Sequence, residues 1–411
     1  MADINPYTID VSESQIQDLQ TRLSLAKFPD ELDGAEWEMG APLGDVQRLT
    51  RYWKDTFDWK KAEESINELP HFVTNIQCQG FEPLAIHFIH IKSGVRGAIP
   101  LLFIHGWPGH FMEAYKIANR LTGGDGVNTP AFHLVIPSLP NFGFSQGTKQ
   151  RGFMLEQYAE TVNKLMLKLG YNEYVTQGGD WGCHISRTLG HLFPQYCKAT
   201  HLNYDFAEAP GFLKNPLLAL QHAIQPYSKH ESEGKKRTEW FRAEGRGYNV
   251  EQSTKPQTLG YGLADSPVAC LAWIYEKLHD WTDSYPWTDD EVCTWVSIYW
   301  FSTAGPAASI RIYYETNHNV DGRPNKMDRK RLQTYSPGVK IGFSHFPMDL
   351  AVLPSTWMKT LGDIVFEKVH ESGGHFAAWE RPQEIVQDVR EMFGRSGGAF
   401  GCVKGATGYL S

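Results

Sequence analysis

The sequence predicts an α/β fold, a mainly parallel sheet with helices on both faces and a helical insertion late in the chain. Three observations carry this. Short apolar runs alternate with helical patterns from Leu84 to Gln177. The alternation breaks after Leu202 into a long stretch with no clear strand. It resumes at Val339 and closes with a helix over Pro382 to Phe393.

Ser12 and Gln15 form a capping-box pattern, with Ile16, Leu19 and Leu23 following at helical spacing. A second helix carries Val46, Leu49, Tyr52 and Trp53 and is expected to end near Trp59. Residues 1–80 are too thin to own a core, so they are expected to form a helical meander packed on the main domain. The sheet is then expected to begin with the alternating Leu84 to Ile91. Ile99 to Ile104 is a continuous apolar run, suited to a strand buried on both faces. Met112 to Leu121 reads as a helix and Phe132 to Pro137 as a strand. Leu155 to Gly170 reads as a helix with a glycine cap, and Tyr174 to Gln177 as a strand. This places a first core segment at 81–203. Residues 204–335, rich in Trp, Tyr and Pro, read as an inserted helical cap. Strands at Val339 to Ser344 and Ile364 to Val369, with the last helix, complete the core over 336–394. The Gly-rich residues 395–411 are expected to be a flexible tail.

Composition narrows the function. The 411 residues carry a formal charge of −8, which argues against a nucleic-acid partner. The basic runs Lys235-Lys236-Arg237 and Lys326 to Arg331 read as solvated faces. Six cysteines, Cys78, Cys183, Cys197, Cys270, Cys293 and Cys402, form neither a CxxC pair nor a zinc-like pattern with His, so reduced thiols in a cytoplasmic setting are expected. Met1 to Asp10 hold no signal-peptide pattern, and there is no run of 18 apolar residues, so no membrane anchor is expected. No phosphate loop or metal-ligand cluster is visible, and no cofactor or metal is expected.

Four short segments carry chemistry. Gly178-Gly179-Asp180-Trp181-Gly182 follows a strand and precedes the helical run Cys183 to His191. A nucleophile elbow needs this spacing, because small residues on either side let the backbones approach. A carboxylate at the tip, favoured by the helix N-terminus, can attack carbon and form an ester. Taken alone, Asp180 also fits a helix-capping loop residue. His105-Gly106-Trp107-Pro108-Gly109 follows the buried run ending at Ile104. Its backbone, with that of the residue after the elbow tip, makes the N–H groups of Trp107 and Trp181 candidate oxyanion donors. Trp107-Pro108 is a candidate cis bond. Gly373-Gly374-His375-Phe376 puts a histidine on a loop free to lean into a site. Phe346-Pro347-Met348-Asp349 puts an acid 26 residues before it, where it can orient the imidazole. Each segment has a bland alternative: a tight turn, a surface histidine or a capping Asp. The order nucleophile, acid, histidine, each after an expected strand, is the stronger observation.

Together with Gly373 to Pro382 (GGHFAAWERP), these motifs resemble the epoxide hydrolases of the α/β-hydrolase superfamily, in particular the microsomal-type branch and its soluble fungal members. The resemblance covers nearly the whole chain. It implies two cap tyrosines that hold the epoxide oxygen. Tyr248, in Glu244-Gly245-Arg246-Gly247-Tyr248, matches one. Tyr313, two residues before Glu315, matches the other, with Tyr314 as the fallback if the register slips by one. The stretch between Tyr313 and Asp349 is slightly long for the soluble fungal pattern, and the Gly-rich tail is additional.

The resemblance also implies a reaction. Asp180 is expected to attack an epoxide carbon while Tyr248 and Tyr313 donate hydrogen bonds to the ring oxygen and one of them protonates it. His375, held by Asp349, is expected to activate water and release a vicinal diol. The partners are then a small-molecule epoxide and water. A homodimer is implied by the resemblance alone. The rivals are a haloalkane-type dehalogenase with the same Asp nucleophile, and a ligand-binding protein that kept the fold without the chemistry.

Overall fold

The computed structural model describes residues 3–320 and 325–410; Met1, Ala2, residues 321–324 of the expected cap and Ser411 of the tail lie outside them. The described residues form one nine-stranded sheet: β1 (Ile4–Pro6), β2 (His71–Ile76), β3 (Leu84–Ile91), β4 (Ile99–Ile104), β5 (Phe132–Pro137), β6 (Tyr174–Gly178), β7 (Cys197–Leu202), β8 (Ser336–His345) and β9 (Gly362–Val369). The order across the sheet is β1-β2-β3-β5-β4-β6-β7-β8-β9. β1, β2, β3 and β5 pair antiparallel along one side. From β5 through β9 every pairing is parallel.

The parallel register positions the site. Ile104 pairs with Gly178, Gly178 with Leu202, Leu202 with Phe343, and His345 with Val369. Five strands therefore end at nearly the same level. The loops that leave this edge carry His105 to Gly109, Gly179 to Trp181, the start of the insertion, Phe346 to Asp349, and Gly373 to His375. The carboxyl edge of a parallel sheet is where such folds bind ligands.

Between β7 and β8 the described chain is helical, without a strand of the sheet. Helix Asp289–Trp300 reaches down onto the loop after β4. Trp295 Nε1 donates to the Pro108 carbonyl at 2.7 Å, and the Tyr299 hydroxyl to the Gly109 carbonyl at 2.6 Å.

Several elements differ from the sequence reading. The second helix is Leu43–Asp55, and Trp59 opens a third, Trp59–Ile66, capped by Asp58. The sheet begins before residue 80, since β1 and β2 belong to it. The N-terminal helices do not simply pack on the core. Trp53 Nε1 donates to Ser297 at 2.9 Å, and the Tyr52 hydroxyl to Asp290 at 2.9 Å, so Leu43–Asp55 straps the inserted helices. The segment Met112 to Leu121 divides into a 3-10 turn, Phe111–Ala114, and an α-helix, Tyr115–Thr122. β7 was not foreseen. The tail is folded against the body rather than loose. Gly408 accepts from the Ala131 N–H and donates to the Gly97 carbonyl, Leu410 donates to Gly126, and Val403 and Tyr409 are buried. Among the described residues no helix is long and apolar enough to cross a membrane.

Candidate active site

Asp180 sits where β6 turns into helix Asp180–Leu192, with a φ of 47° that non-glycine residues rarely adopt. The turn is possible only because its neighbours are small. A Cβ on Gly182 would lie 1.8 Å from the Ile104 carbonyl oxygen, and one on Gly178 2.8 Å from the Gly182 backbone. Asp180 Oδ1 accepts the Trp107 N–H at 2.8 Å, and the Trp181 N–H also reaches the carboxylate. Both expected oxyanion donors thus converge on one group.

The loop that supplies Trp107 is held by His105. Its Nε2 accepts the Leu139 N–H at 3.2 Å, which assigns the proton to Nδ1, 3.0 Å from the Gly106 carbonyl. Burial lowers its pKa to about 4, so this imidazole is a neutral brace. The Trp107-Pro108 bond is cis.

His375 stands between two carboxylates. Its Nδ1 is 2.6 Å from Asp349 Oδ1, and its Nε2 is 3.4 Å from Asp180 Oδ2. Its backbone N–H donates to the Trp281 carbonyl at 2.7 Å, and the indole of Trp281 stands edge-on to the ring. Burial disfavours the imidazolium, but Asp349 and Asp180 together outweigh it and raise the pKa to about 10. Burial likewise works against the Asp180 anion. The His375 hydrogen bond and charge, with the two backbone N–H groups, hold its carboxyl below the usual range. Asp349 is pushed up by burial, against the pull of His375 and the Leu350 N–H. The three groups titrate as a coupled set.

Above Asp180 lies a cavity of about 170 Å³ lined by Trp181, Tyr204, Phe206, Tyr248 and Tyr313 among others. Tyr248 stacks on the Trp107 indole at 5.3 Å between ring centroids. Tyr313 stands edge-on to Trp107 and Trp181, and the two phenol rings meet at 5.9 Å. Burial, with the Asp180 charge nearby, keeps both phenols protonated well above their ordinary range. Among the described residues the buried Tyr313 hydroxyl has no hydrogen-bond partner of normal geometry. Tyr314, the fallback, is not at this site. One residue further along helix Arg311–Asn317 turns it by about 100°. It stacks on His318 at 4.1 Å and lines a separate, more open groove of about 940 Å³, which holds none of Asp180, Asp349 or His375.

Two contributors escaped the sequence reading. The Glu113 side chain lies against the loop after β4, packed so closely that a Cβ on Gly109 would overlap Oε1. Burial raises its pKa to about 8, with His375 and Asp180 close enough to act on it. Arg237 is not merely solvated, as its basic run suggested. Its guanidinium donates to the Asp349 carbonyl (3.2 Å), the Met348 carbonyl (3.2 Å) and the Asp280 carbonyl, tying the inserted helix Lys229–Trp240 to the acid loop. Lys235 and Lys236 are exposed. Arg237 carries no local signal because it acts on backbone remote in sequence, and Glu113 belongs to no motif although it meets the Gly106 and His110 backbone a few residues before it.

Residues 4–114 match the model of the epoxide hydrolase N terminus, and residues 99–205 that of the alpha/beta hydrolase fold. Epoxide hydrolase 1 of Sus scrofa is 33% identical over 415 residues, covering 95% of this chain and 88% of the relative. The chain belongs to the epoxide hydrolase family. The structure of Aspergillus niger epoxide hydrolase is similar to this hydrolase with a TM-score of 0.80 and 35% identity over 95% of each chain. Juvenile hormone epoxide hydrolase from the silkworm Bombyx mori gives a TM-score of 0.84 at 29% identity, covering 94% of this hydrolase and 93% of its own chain. These relatives carry the name epoxide hydrolase, which favours that reading over the dehalogenase rival.

Proposed function

We propose that the hydrolase opens an epoxide to a vicinal diol through a covalent ester on Asp180. The observation that carries this reading is the division of labour at the Asp180 carboxylate. Oδ1 is bound by the Trp107 N–H, Oδ2 lies 3.4 Å from His375 Nε2, and Asp180 lines the cavity that Tyr248 and Tyr313 also line.

Oδ2 attacks an epoxide carbon, and the carbon–oxygen bond of the ring breaks. Tyr248 and Tyr313 donate to the oxygen as it becomes an alkoxide, and one of them gives up its proton. A phenol is a sufficient acid because an alkoxide is the much stronger base. Esterification removes one of the two anions that hold the proton on His375. The imidazole therefore loses proton affinity, and the tyrosinate left by ring opening is the acceptor that balances the proton it sheds. Neutral His375, oriented by Asp349, then takes a proton from water as the oxygen attacks the ester carbonyl carbon. The oxyanion develops on Oδ1 against the Trp107 and Trp181 N–H groups, a kind of contact worth about 3–4 kcal/mol per donor in comparable sites. Collapse expels the diol oxygen, which takes the proton from His375, and the proton left on the Asp180 carboxyl passes to His375 to restore the starting pair.

The test is turnover of styrene oxide beside a chloroalkane. Diol formation, lost in Asp180→Asn, with no halide release, supports the reading. Halide release without diol would overturn it.

A further inference from the structure

Asp349 sits in an irregular loop, residues 346–354, between β8 and helix Ser355–Met358. Such a loop has no ladder of its own hydrogen bonds, so outside partners must fix its shape. Arg237 holds its middle. Its two ends meet on one buried side chain, Asp205, just beyond the end of β7. Asp205 Oδ1 is 2.8 Å from Nδ1 of His345, the last residue of β8, and Asp205 Oδ2 accepts the Leu353 N–H at 3.0 Å. A single carboxylate thus clips the start of the loop to its finish, with Asp349 between them.

The clip is charged and closed to water. His345 is buried too, and its Nε2 lies 3.3 Å from Glu367 Oε1 on β9. Burial disfavours the charged imidazole, but Asp205 and Glu367 outweigh it and raise the pKa to about 10. His230 of helix Lys229–Trp240, His201 of β7 and Asp349 lie within electrostatic range of the pair.

The clip acts on the reaction through Asp349, whose Oδ1 meets both His375 Nδ1 (2.6 Å) and the Leu350 N–H (2.7 Å). Sharing one oxygen ties the carboxylate to the loop backbone, so a loop that drifts carries Oδ1 away from the imidazole. Tyr204, the residue before Asp205, stands edge-on to the His375 ring at 5.8 Å. The groups that open the epoxide are carried elsewhere. Asp180 is on the elbow, Tyr248 on helix Gly247–Thr254 and Tyr313 on helix Arg311–Asn317.

We propose that Asp205 is a positioning residue for the second half of the reaction: by holding both ends of the 346–354 loop, it sets Asp349 against His375 for the attack of water on the ester. The role in ester release rests on the reaction read above; the setting of Asp349 against His375 does not.

Asp205→Ala removes both anchors. Asp205→Asn keeps them, since its amide oxygen can accept the Leu353 N–H and its amide N–H can donate to neutral His345. Asp205→Ala leaves a buried imidazolium with one partner fewer, so Asp205→Ala/His345→Phe is measured beside it; taking out both charges together avoids an unpaired one. In single turnovers followed by rapid quench, Asp205→Ala and the double variant are expected to slow ester release about tenfold more than ester formation, so the alkylated Asp180 peptide accumulates. Asp205→Asn is expected to recover most of that loss. The low-field proton resonance of His375 Nδ1 is expected to move in Asp205→Ala and the double variant, and to stay in Asp205→Asn. A part that served stability alone would lower the melting temperature and slow both steps alike, with the resonance in place. Equal slowing of the two steps, an unmoved resonance in the alanine variants, or an Asn variant no better than Ala overturns the proposal. If the resonance moves as expected but no variant, His375→Gln included, accumulates ester, the covalent reading falls and the positioning of Asp349 stands.

Discussion

Gly106 and Asp180 lie so close that a methyl group on the glycine would sit 2.3 Å from Asp180 Oδ1 and 2.4 Å from its Cβ. The loop after β4 and the elbow after β6 are in van der Waals contact at a place where a side chain would part them. Gly106→Ala must therefore displace the carboxylate or the Trp107 N–H bound to it. A misplacement near 1 Å is enough to lower kcat/KM about 100-fold. Thermal melting and steady-state kinetics on the same preparation check this. A fully active Gly106→Ala would show that the contact does not set the geometry.

The two adjacent tyrosines of helix Arg311–Asn317 should separate cleanly. Tyr313 faces Trp107 and Trp181 over Asp180, whereas Tyr314 stacks on His318 at a different groove. Tyr313→Phe is expected to slow ring opening by about 100-fold or more, the usual scale for a positioned acid. Tyr314→Phe is expected to leave it unchanged. Rapid-quench measurement of the alkylation step distinguishes them, and equal losses would count against the assignment.

His375 carries a pKa of about 10 in the resting site, against about 6.5 for a free imidazole. The folded value lies above the unfolded one. Its contribution to stability is therefore present in full below pH 6.5 and is lost as pH rises through about 10. Asp180→Asn removes one of the two anions that face the ring, so the pKa should fall. NMR titration of the His375 imidazole in both proteins measures this directly. An unchanged pKa in Asp180→Asn would remove the account of how the ester converts His375 into a base.

Arg237 and Lys236 are adjacent in sequence and should behave differently. Arg237 holds the Met348 and Asp349 carbonyls from the inserted helix, while Lys236 is exposed. Arg237→Ala is expected to cost about 1.5–3 kcal/mol, the scale of hydrogen bonds to a charged group. Lys236→Ala should stay within about 0.5 kcal/mol. Denaturant unfolding resolves the two, and equal stability would mean that Arg237 is as dispensable as its neighbour.

The site motifs were legible because each combines a local pattern with a position along the chain. Glycines around Asp180, the glycine pair before His375 and the acid 26 residues earlier each follow a strand, and the parallel register brings those strand ends level. What escaped was set by contacts distant in sequence. β7 reads as polar through Lys198, Thr200 and His201, yet it is buried, because Thr200 pairs with Thr176 at 2.8 Å and His201 with Ser344 at 2.9 Å. β2 is similar, with His71 linked to His87 at 2.8 Å inside the fold. The tail looked loose for its glycines. In the structure they permit close packing: a Cβ on Gly397 would lie 2.1 Å from the Glu391 carbonyl oxygen, and one on Gly398 would meet Val365 at 2.6 Å.

The covalent route is tested most directly by a single turnover in water enriched in heavy oxygen, with enzyme in excess over epoxide. Hydrolysis of an Asp180 ester at its carbonyl carbon leaves the solvent oxygen on the carboxylate. The label should then appear in the Asp180 peptide, and the diol from that turnover should be unlabelled. Label in the diol with none in Asp180 would mean that water attacks the epoxide itself, contradicting the account.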